Sequence, residues 1–186
     1  MQMCAKSAIP VLLILLTVQP AVADNWAHWR GPQGNGVAPD ANPPVEWSES
    51  KNVKWKVRIP GRGSGSPVVW GNQVFVVTAV PTGRGGSGDL PNLDFKLLCF
   101  ERSSGKLLWE QTAINATPHE RTHSTNGFAS ASPCTDGQRV YAHFGSRGLY
   151  CYTMQGELLW KRDFGKMQAR NGFGEGSSPT LVDNFI

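Results

Sequence analysis

The sequence contains an internal repeat with a period of about 50 residues. Each copy contains a Ser-Pro step and, further along, a strand-turn-strand segment that ends in tryptophan. The Ser-Pro steps begin at Ser66, Ser132 and Ser178, and the tryptophans of successive copies are Trp55, Trp109 and Trp160. This period is close to the ~40–50 residues of a four-stranded propeller blade and far from the ~34 residues of helical hairpin repeats. We therefore predict an all-β fold, a β-propeller of four-stranded antiparallel W-shaped blades.

Alternation of apolar and polar residues predicts the strands of each blade. Gly71-Asn72 and Asp136-Gly137 are two-residue hairpin signals, because these residue types tolerate a positive φ angle. The predicted strands cover residues 53–59, 67–70, 73–79, 94–101, 106–112, 139–145, 148–153 and 157–163. Residues 53–186 thus form the N-terminal part of an incomplete propeller with about two complete blades. We expect the chain to be a fragment in which the strand of Trp55 completes a blade from the missing C-terminal part.

The first 52 residues precede the predicted strands and divide into two parts. Lys6, the apolar run of residues 9–18 and the small residues that follow are typical of a cleavable signal peptide at residues 1–23. The apolar run is too short to span ~30 Å of hydrocarbon, so we expect no stable membrane span and an exported, periplasmic or secreted protein. Residues 24–52 show no sustained periodicity and are predicted to form an extended N-terminal wrap.

Charge and cysteine content narrow the possible function classes. The formal net charge is +4, which is too small and too scattered to indicate binding to nucleic acid. Cys99, Cys134 and Cys151 remain after removal of the signal, an odd number for an exported chain, so at least one thiol is unpaired or pairs outside the chain. Cys99 and Cys151 occupy the same repeat position. We interpret them as small buried apolar residues, with a redox pair as the alternative.

The turn of each blade carries a motif of the form small-x-acid-x-x-x-Gly-x-x-x-Trp. Its first copy runs from Cys99 to Trp109 with Gly105 in the turn, and the second copy places Gly156 and Trp160 at the same positions. This motif resembles that of the pyrroloquinoline quinone (PQQ)-like β-propeller repeat family. The resemblance implies that the glycine permits a tight turn and that the tryptophan docks between neighbouring blades.

The resemblance covers nearly all of residues 24–186. The opening segment of residues 25–37 is similar to the start of exported family members from environmental bacteria. The family includes quinoprotein alcohol dehydrogenases, the propeller of the outer-membrane protein assembly factor, and many chains with no assigned activity. The dehydrogenases resemble one another in a pair of adjacent cysteines above the quinone, and this sequence has no Cys-Cys pair.

Two short motifs match enzyme patterns without the structural context that the chemistry needs. Residues 119–123 match the H-E-x-x-H pattern of zinc peptidases, but Pro118 precedes them and no apolar stripe indicates the helix that would place both imidazoles on one face. Residues 83–88 match G-x-G-x-x-G, but no helix signal follows at residues 89–92. We expect a polar loop between blades, a flexible insertion between two strands of a blade, and no metal site.

The strongest candidate site comes from the repeat itself. Equivalent connections from the outer strand of one blade to the inner strand of the next gather on one face of a propeller, around its central channel. The residues predicted to converge there are Arg62, His119, His123, Asn126, Arg170, Asn171 and Glu175. They supply hydrogen-bond donors and one carboxylate for an unknown protein or small-molecule ligand. In the alternative interpretation these residues only form turns, and the serine hydroxyls satisfy backbone groups.

The sequence favours a binding or scaffold module over an enzyme, since no catalytic residue and no cofactor is evident. The main alternative is a PQQ-dependent alcohol dehydrogenase with calcium, for which Arg62 and Arg170 would offer only the cationic groups that hold the quinone carboxylates. A second alternative is a propeller like the outer-membrane protein assembly factor, which would bind exposed strands by edge pairing.

Overall fold

The computed structural model describes residues 25–183 and 185–186. The predicted signal peptide of residues 1–23 lies outside this range. The described chain forms two four-stranded antiparallel sheets, each built from four strands that are consecutive in sequence. This is the architecture of propeller blades, so the predicted fold class is confirmed. No helix in the described part of the chain is long and apolar enough to cross a membrane.

The first sheet follows the Ser-Pro step at Ser66. Its strands are β1 (Val68–Trp70), β2 (Gln73–Ser87), β3 (Leu90–Glu101) and β4 (Leu107–Ala116), paired in that order. The hairpin between β1 and β2 lies at the predicted position, where Gly71 has a φ angle of 55°. Such a positive φ costs glycine little, because it has no Cβ atom.

The β2–β3 hairpin is longer than predicted. Its strands remain paired out to Ser87 and Leu90, with a shift of register between Pro81 and Gly86. Gly86 permits this pairing, because a Cβ atom there would collide with the carbonyl oxygen of Leu90. Residues 83–88 therefore form the end of a paired hairpin where we had predicted a flexible insertion.

The second sheet repeats the first. Its strands are β5 (Cys134–Thr135), β6 (Arg139–His143), β7 (Leu149–Thr153) and β8 (Leu158–Arg162). Short 3₁₀ turns lie at Gly145–Arg147 and Arg170–Gly172. Strand β6 is two residues shorter than predicted, because the chain turns at Gly145 with a φ angle of 56°.

Residues 53–59 do not form the strand predicted for them. Alternation of apolar and polar side chains supports a strand only where a neighbouring strand supplies backbone partners, and the described residues place none beside this segment. Its tryptophan is nevertheless anchored: Trp55 Nε1 donates a hydrogen bond to the carbonyl oxygen of Arg102 at 2.9 Å. The segment is thus attached to the turn of the first sheet through a side chain.

Residues 25–27 lie beside β1 and β5, the first strands of the two sheets. Trp26 exchanges two backbone hydrogen bonds with Val69 of β1, at 2.8 and 2.9 Å. The backbone N–H of Thr135 in β5 donates to the carbonyl oxygen of Ala27 at 2.9 Å. This short segment therefore links the first strands of the two sheets.

The largest hydrophobic cluster spans both sheets. Buried members from the first sheet are Val68, Phe75, Val77, Leu97 and Cys99, and those from the second are Val140, Ala142, Tyr150 and Tyr152. Full burial of one such large side chain stabilises the fold by about 1.5–3 kcal/mol. Contact between the sheets therefore contributes to the buried apolar surface in addition to the contacts within each hairpin.

The Ser-Pro steps of successive repeats are joined by hydrogen bonds. The backbone N–H of Ser66 donates to the hydroxyl of Ser132 at 2.8 Å, and the backbone N–H of Ser132 donates to the hydroxyl of Ser178 at 2.9 Å. Ser132 is buried, so these bonds satisfy backbone groups that would otherwise lack partners. We refer to Ser66, Ser132 and Ser178 as the serine relay.

The tryptophan at the end of one repeat docks on the turn of the next. Trp109 Nε1 donates to the carbonyl oxygen of Met154 at 3.0 Å. The indole lies against Gly156, where the φ angle is 91° and a Cβ atom would lie 2.8 Å from Trp109 Cδ2. Trp55 lies against Gly105 in the same way, since a Cβ atom there would lie 2.7 Å from Trp55 Cδ2. Glycine is thus required in these turns both for its backbone conformation and for the space it leaves.

Candidate functional site

The connections between strands that carry the predicted site residues lie on one face of the molecule. Because Leu93 of β3 pairs with Ala116 of β4, the chain leaves β4 at the edge of the sheet where the β2–β3 hairpin projects. We call this edge and its equivalent in the second sheet the connection face. It comprises residues 61–62, which lie beside Ala79 of β2, the hairpin end (residues 81–91), connection one (117–131), the turn at 145–147 and connection two (164–177).

Glu175 and Ser146 fasten connection two to the second sheet. The Glu175 carboxylate accepts hydrogen bonds from the backbone N–H of Ser146, at 2.6 Å, and from the Ser146 hydroxyl. The same hydroxyl oxygen accepts a hydrogen bond from the backbone N–H of Met167 at 2.7 Å. Gly145 makes room for the carboxylate, since a Cβ atom there would occupy its position. Glu175 therefore acts as a structural acceptor in this conformation.

His119 joins the two connections. Its Nε2 lies 2.7 Å from the carbonyl oxygen of Met167, and its Nδ1 lies 3.1 Å from a guanidinium nitrogen of Arg147. A carbonyl accepts and a guanidinium donates, so the ring is protonated on Nε2 and accepts at Nδ1. Glu120 completes the link by accepting the backbone N–H of Ala169 at 3.0 Å.

The ligand atoms of His119, Glu120 and Glu175 all lie within 4.8 Å of one another, a spacing that could hold a metal ion. Each of these groups already has a protein partner, and the guanidinium of Arg147 at His119 opposes a second cation there. His123 is not part of this group, and residues 117–123 form no helix. We therefore interpret the cluster as a hydrogen-bonded link rather than a zinc-peptidase arrangement.

Asn126 is also used structurally. Its side-chain amide donates to the carbonyl oxygen of Phe173 at 2.8 Å, and its side-chain oxygen accepts from the backbone N–H of Gly127 at 2.8 Å and from the Ser130 hydroxyl at 2.5 Å. The two connections approach closely here, since a Cβ atom at Gly174 would collide with connection one. Asn126 therefore holds connection two in place.

Arg170 and Asn171 lie away from the other predicted site residues. Both are exposed in the 3₁₀ turn at Arg170–Gly172, where Asn171 adopts a positive φ angle of 59°. Neither residue lines a cavity with Arg62 or His123. The seven residues predicted to converge thus separate into a hydrogen-bonded link, an exposed turn and an open cleft.

The open cleft has a volume of about 480 Å³ and lies between the base of the β2–β3 hairpin and connection one. Arg62 and His123 of the predicted set line it, together with one edge of Asn126. Arg62 is placed by two backbone hydrogen bonds with Ala79, each 3.0 Å long, and its guanidinium donates to the carbonyl oxygen of Ser124 at 2.6 Å. The volume falls in the range of ~300–1,000 Å³ that small-molecule sites occupy.

Sequence reasoning missed the apolar side of this cleft. It is formed by Leu90, Leu93 and Phe128, and Arg121 also lines the cleft. Leu90 and Leu93 belong to the part of β3 that continues beyond the predicted strand. Leu93 was the available signal, because it continues the alternation of buried residues that Phe95 and Leu97 follow in β3.

The three described cysteines lie in the sheets and away from this cleft. Burial raises the pKa of Cys99 from its ordinary value of 9.0 to about 12, and a hydrogen bond from Gln73 offsets only part of that effect. Burial and the nearby charge of Asp136 raise the pKa of Cys134 to about 12. Burial likewise raises the pKa of Cys151 to about 11. All three are therefore protonated at neutral pH and behave as apolar side chains.

Comparison with known proteins shows similarity to a family and to solved structures. The family model described as "Outer membrane protein assembly factor BamB" matches residues 36–184. The crystal structure of BamB from Moraxella catarrhalis aligns with 65% of this chain at 15% identity and a TM-score of 0.33. The chain spans 39% of the length of that structure. No curated protein matches the sequence significantly.

Proposed function

Because the chain belongs to the PQQ-like propeller repeat family of outer membrane protein assembly factor BamB, we propose that it is an exported binding module that carries out no chemistry of its own. Its ligand, a protein or a small molecule, binds on the connection face. The cleft beside Arg62 supports this proposal, because it combines an apolar wall with cationic groups in a recess of suitable size.

The two connections give this face a fixed shape. Asn126, His119 and Glu175 each form hydrogen bonds that tie connection two to connection one or to the second sheet. A surface that is already ordered loses little conformational freedom when a ligand binds, so more of the contact energy appears as affinity. The predicted site residues that are engaged internally therefore contribute to binding by holding the face rigid.

Cross-linking from probes at the two ends of the sheets tests which face of the protein binds the ligand. We expect a photoreactive p-benzoylphenylalanine in place of Arg84, at the exposed end of the hairpin, to form adducts in the producing cells. The matched control replaces Gln155, which is equally exposed on a turn at the opposite end. Adducts of protein or small molecule, detected by mass spectrometry, should come from position 84 and not from 155.

Other outcomes of the cross-linking contradict the proposal. Adducts from both positions, or from neither, would remove the connection face as the binding surface. Adducts from a third probe at Thr112, on the outer strand β4, would instead indicate edge pairing with an exposed strand.

The described residues do not fit a quinone cofactor. The three cysteines are buried in the sheets, and Arg170 does not share the cleft with Arg62. A quinone site would need cationic groups that converge on its carboxylates and a polar environment around the reacting carbonyl. The dehydrogenase alternative therefore receives no support from this geometry.

A reconstitution experiment tests that point directly. Full-length protein supplied with PQQ and calcium should neither acquire a stable quinone absorbance nor reduce an artificial electron acceptor with simple alcohols. The same preparation without PQQ is the control. Alcohol-dependent turnover that disappears when PQQ is omitted would overturn the non-catalytic proposal and favour the dehydrogenase.

A further inference from the structure

One wall of the cleft on the connection face is apolar. Leu90, Leu93 and Phe128 form it together with Pro81 and Pro91. The prolines have no backbone N–H, and the accessible hydrocarbon comes mainly from Leu90 and Phe128, because Leu93 is only 3% exposed. This wall therefore presents hydrocarbon, and an apolar group that covers it is removed from water on both sides of the contact.

The cleft is also lined by donors. They belong to Arg62, Arg121 and His123, which we call its rim. Arg121 is already paired with Asp89, at 2.5 Å. Arg62 uses one guanidinium nitrogen for the carbonyl oxygen of Ser124, and no carboxylate of the described chain lies within ion-pair distance of it. A guanidinium has five N–H donors, so most of those of Arg62 remain for a ligand.

His123 adds a second donor. The backbone N–H of Thr125 donates to His123 Nδ1 at 3.3 Å, and the hydroxyl of Thr125 lies 2.8 Å from the same nitrogen. Because Nδ1 accepts, the neutral ring carries its proton on Nε2. The rim thus offers a guanidinium and an imidazole N–H in the same cleft.

The two sides together select the ligand. A cation is disfavoured, because Arg62 and Arg121 line the cleft and none of the lining residues is acidic. A small inorganic anion would leave the apolar wall in contact with water. A neutral apolar molecule would cover the guanidinium of Arg62 without giving it an acceptor, which is unfavourable.

We propose that the cleft binds an apolar group that carries a carboxylate. The carboxylate lies at Arg62 and His123, and the apolar body lies against Leu90 and Phe128. This inference rests on the proposed function, because it names the ligand chemistry of the same face. The group belongs either to a small organic acid or to the free C-terminus of a polypeptide that ends in an apolar residue.

Calorimetric titration of the full-length protein with matched acids and amides tests this proposal. The probes are 3-phenylpropionate and the tripeptide acetyl-Ala-Ala-Phe with a free carboxylate, each compared with its own amide. At least one acid should bind about tenfold more tightly than its amide, since charge-assisted hydrogen bonds are about twice as strong as neutral ones. The acid that shows this preference identifies the source of the carboxylate.

Two substitutions distinguish the role of Arg62 in binding the carboxylate from the role of Leu90 in contacting the apolar body of the ligand. The Arg62→Gln change should abolish the preference for the acid, whereas Arg58→Gln, at an exposed arginine outside the cleft, should leave it intact. The Leu90→Ala change should weaken acid and amide alike by a few-fold, because it removes apolar contact without changing charge. Circular dichroism of the three variants checks that the sheets are retained.

The proposal is overturned if neither acid binds more tightly than its amide, or if Arg62→Gln leaves the preference unchanged. In that case, adducts from position 84 would preserve the connection face as a binding surface for a ligand of other chemistry. Absence of those adducts would remove the proposed function as well, so the two failures are distinguishable.

Discussion

Replacing Trp109 with alanine is expected to destabilise the protein by about 2–4 kcal/mol. The indole is partly buried against Phe75 and Gly156, and its N–H donates to the carbonyl oxygen of Met154. Removing it opens a gap between the two sheets and takes away one of the two hydrogen bonds to that carbonyl, which keeps the bond from Gln73 Nε2 at 3.0 Å. The midpoint of urea unfolding should fall by about 1–2 M, because domains of this kind lose ~1–3 kcal/mol of stability per molar urea.

The matched control for this change is Trp47→Ala. Trp47 is 76% exposed, so its removal should shift the midpoint by no more than a few tenths of a molar, as expected for a surface substitution. If the two variants unfold at the same urea concentration, the docking of one repeat on the next contributes little to stability. The contact between the sheets would then depend on the hydrophobic cluster alone.

The buried thiols are expected to react more slowly in the folded protein than in urea, by about a hundredfold for Cys151 and about a thousandfold for Cys99 and Cys134. At pH 8 a thiol with a pKa of 9.0 is about 10% ionised, whereas one with a pKa of about 12 is about 0.01% ionised. Only the thiolate attacks a disulfide reagent, so the rate follows that fraction. The measurement uses Ellman's reagent on a Cys4→Ser variant, which leaves Cys99, Cys134 and Cys151.

An exposed thiol gives the reference rate under the same conditions. The Ser103→Cys change places one on a solvent-exposed turn, where it should react at an ordinary rate in the folded protein. Rapid reaction of one native cysteine at pH 8 would contradict its burial in the sheets. It would also reopen the redox interpretation of Cys99 and Cys151 for that residue.

Sequence patterns predicted most of the strands, because the turn of a hairpin and the two strands that it joins are adjacent in the sequence. Gly71 and Gly137 adopt the positive φ angles that their positions in the two-residue turns require. At residues 53–59 the alternation is equally good, but the described chain places no partner strand beside them, so a strand there remains a prediction. A strand depends on its neighbour as well as on its own sequence, and that neighbour lies far away along the chain.

The candidate site was predicted only in part, because contacts between residues far apart in the sequence determine which side chains are free to bind. Arg62 and His123 were selected as polar residues on connecting segments, and both line the cleft. Asn126 and Glu175 were selected on the same grounds, but most of their acceptor and donor atoms are engaged within the protein. Phe173 is 47 residues from Asn126 and Ser146 is 29 residues from Glu175, so composition and spacing cannot separate a ligand-binding side chain from one that holds a loop.

The serine relay has a direction. In each step a backbone N–H donates a hydrogen bond to the serine hydroxyl of the following repeat, from Ser66 to Ser132 and from Ser132 to Ser178. Contacts of this head-to-tail kind are heterologous, because the donor surface of one unit binds the different, acceptor surface of the next unit. If one such unit is duplicated within the gene, the new copy fits the unit before it and the unit after it. A single duplication can therefore change the number of blades.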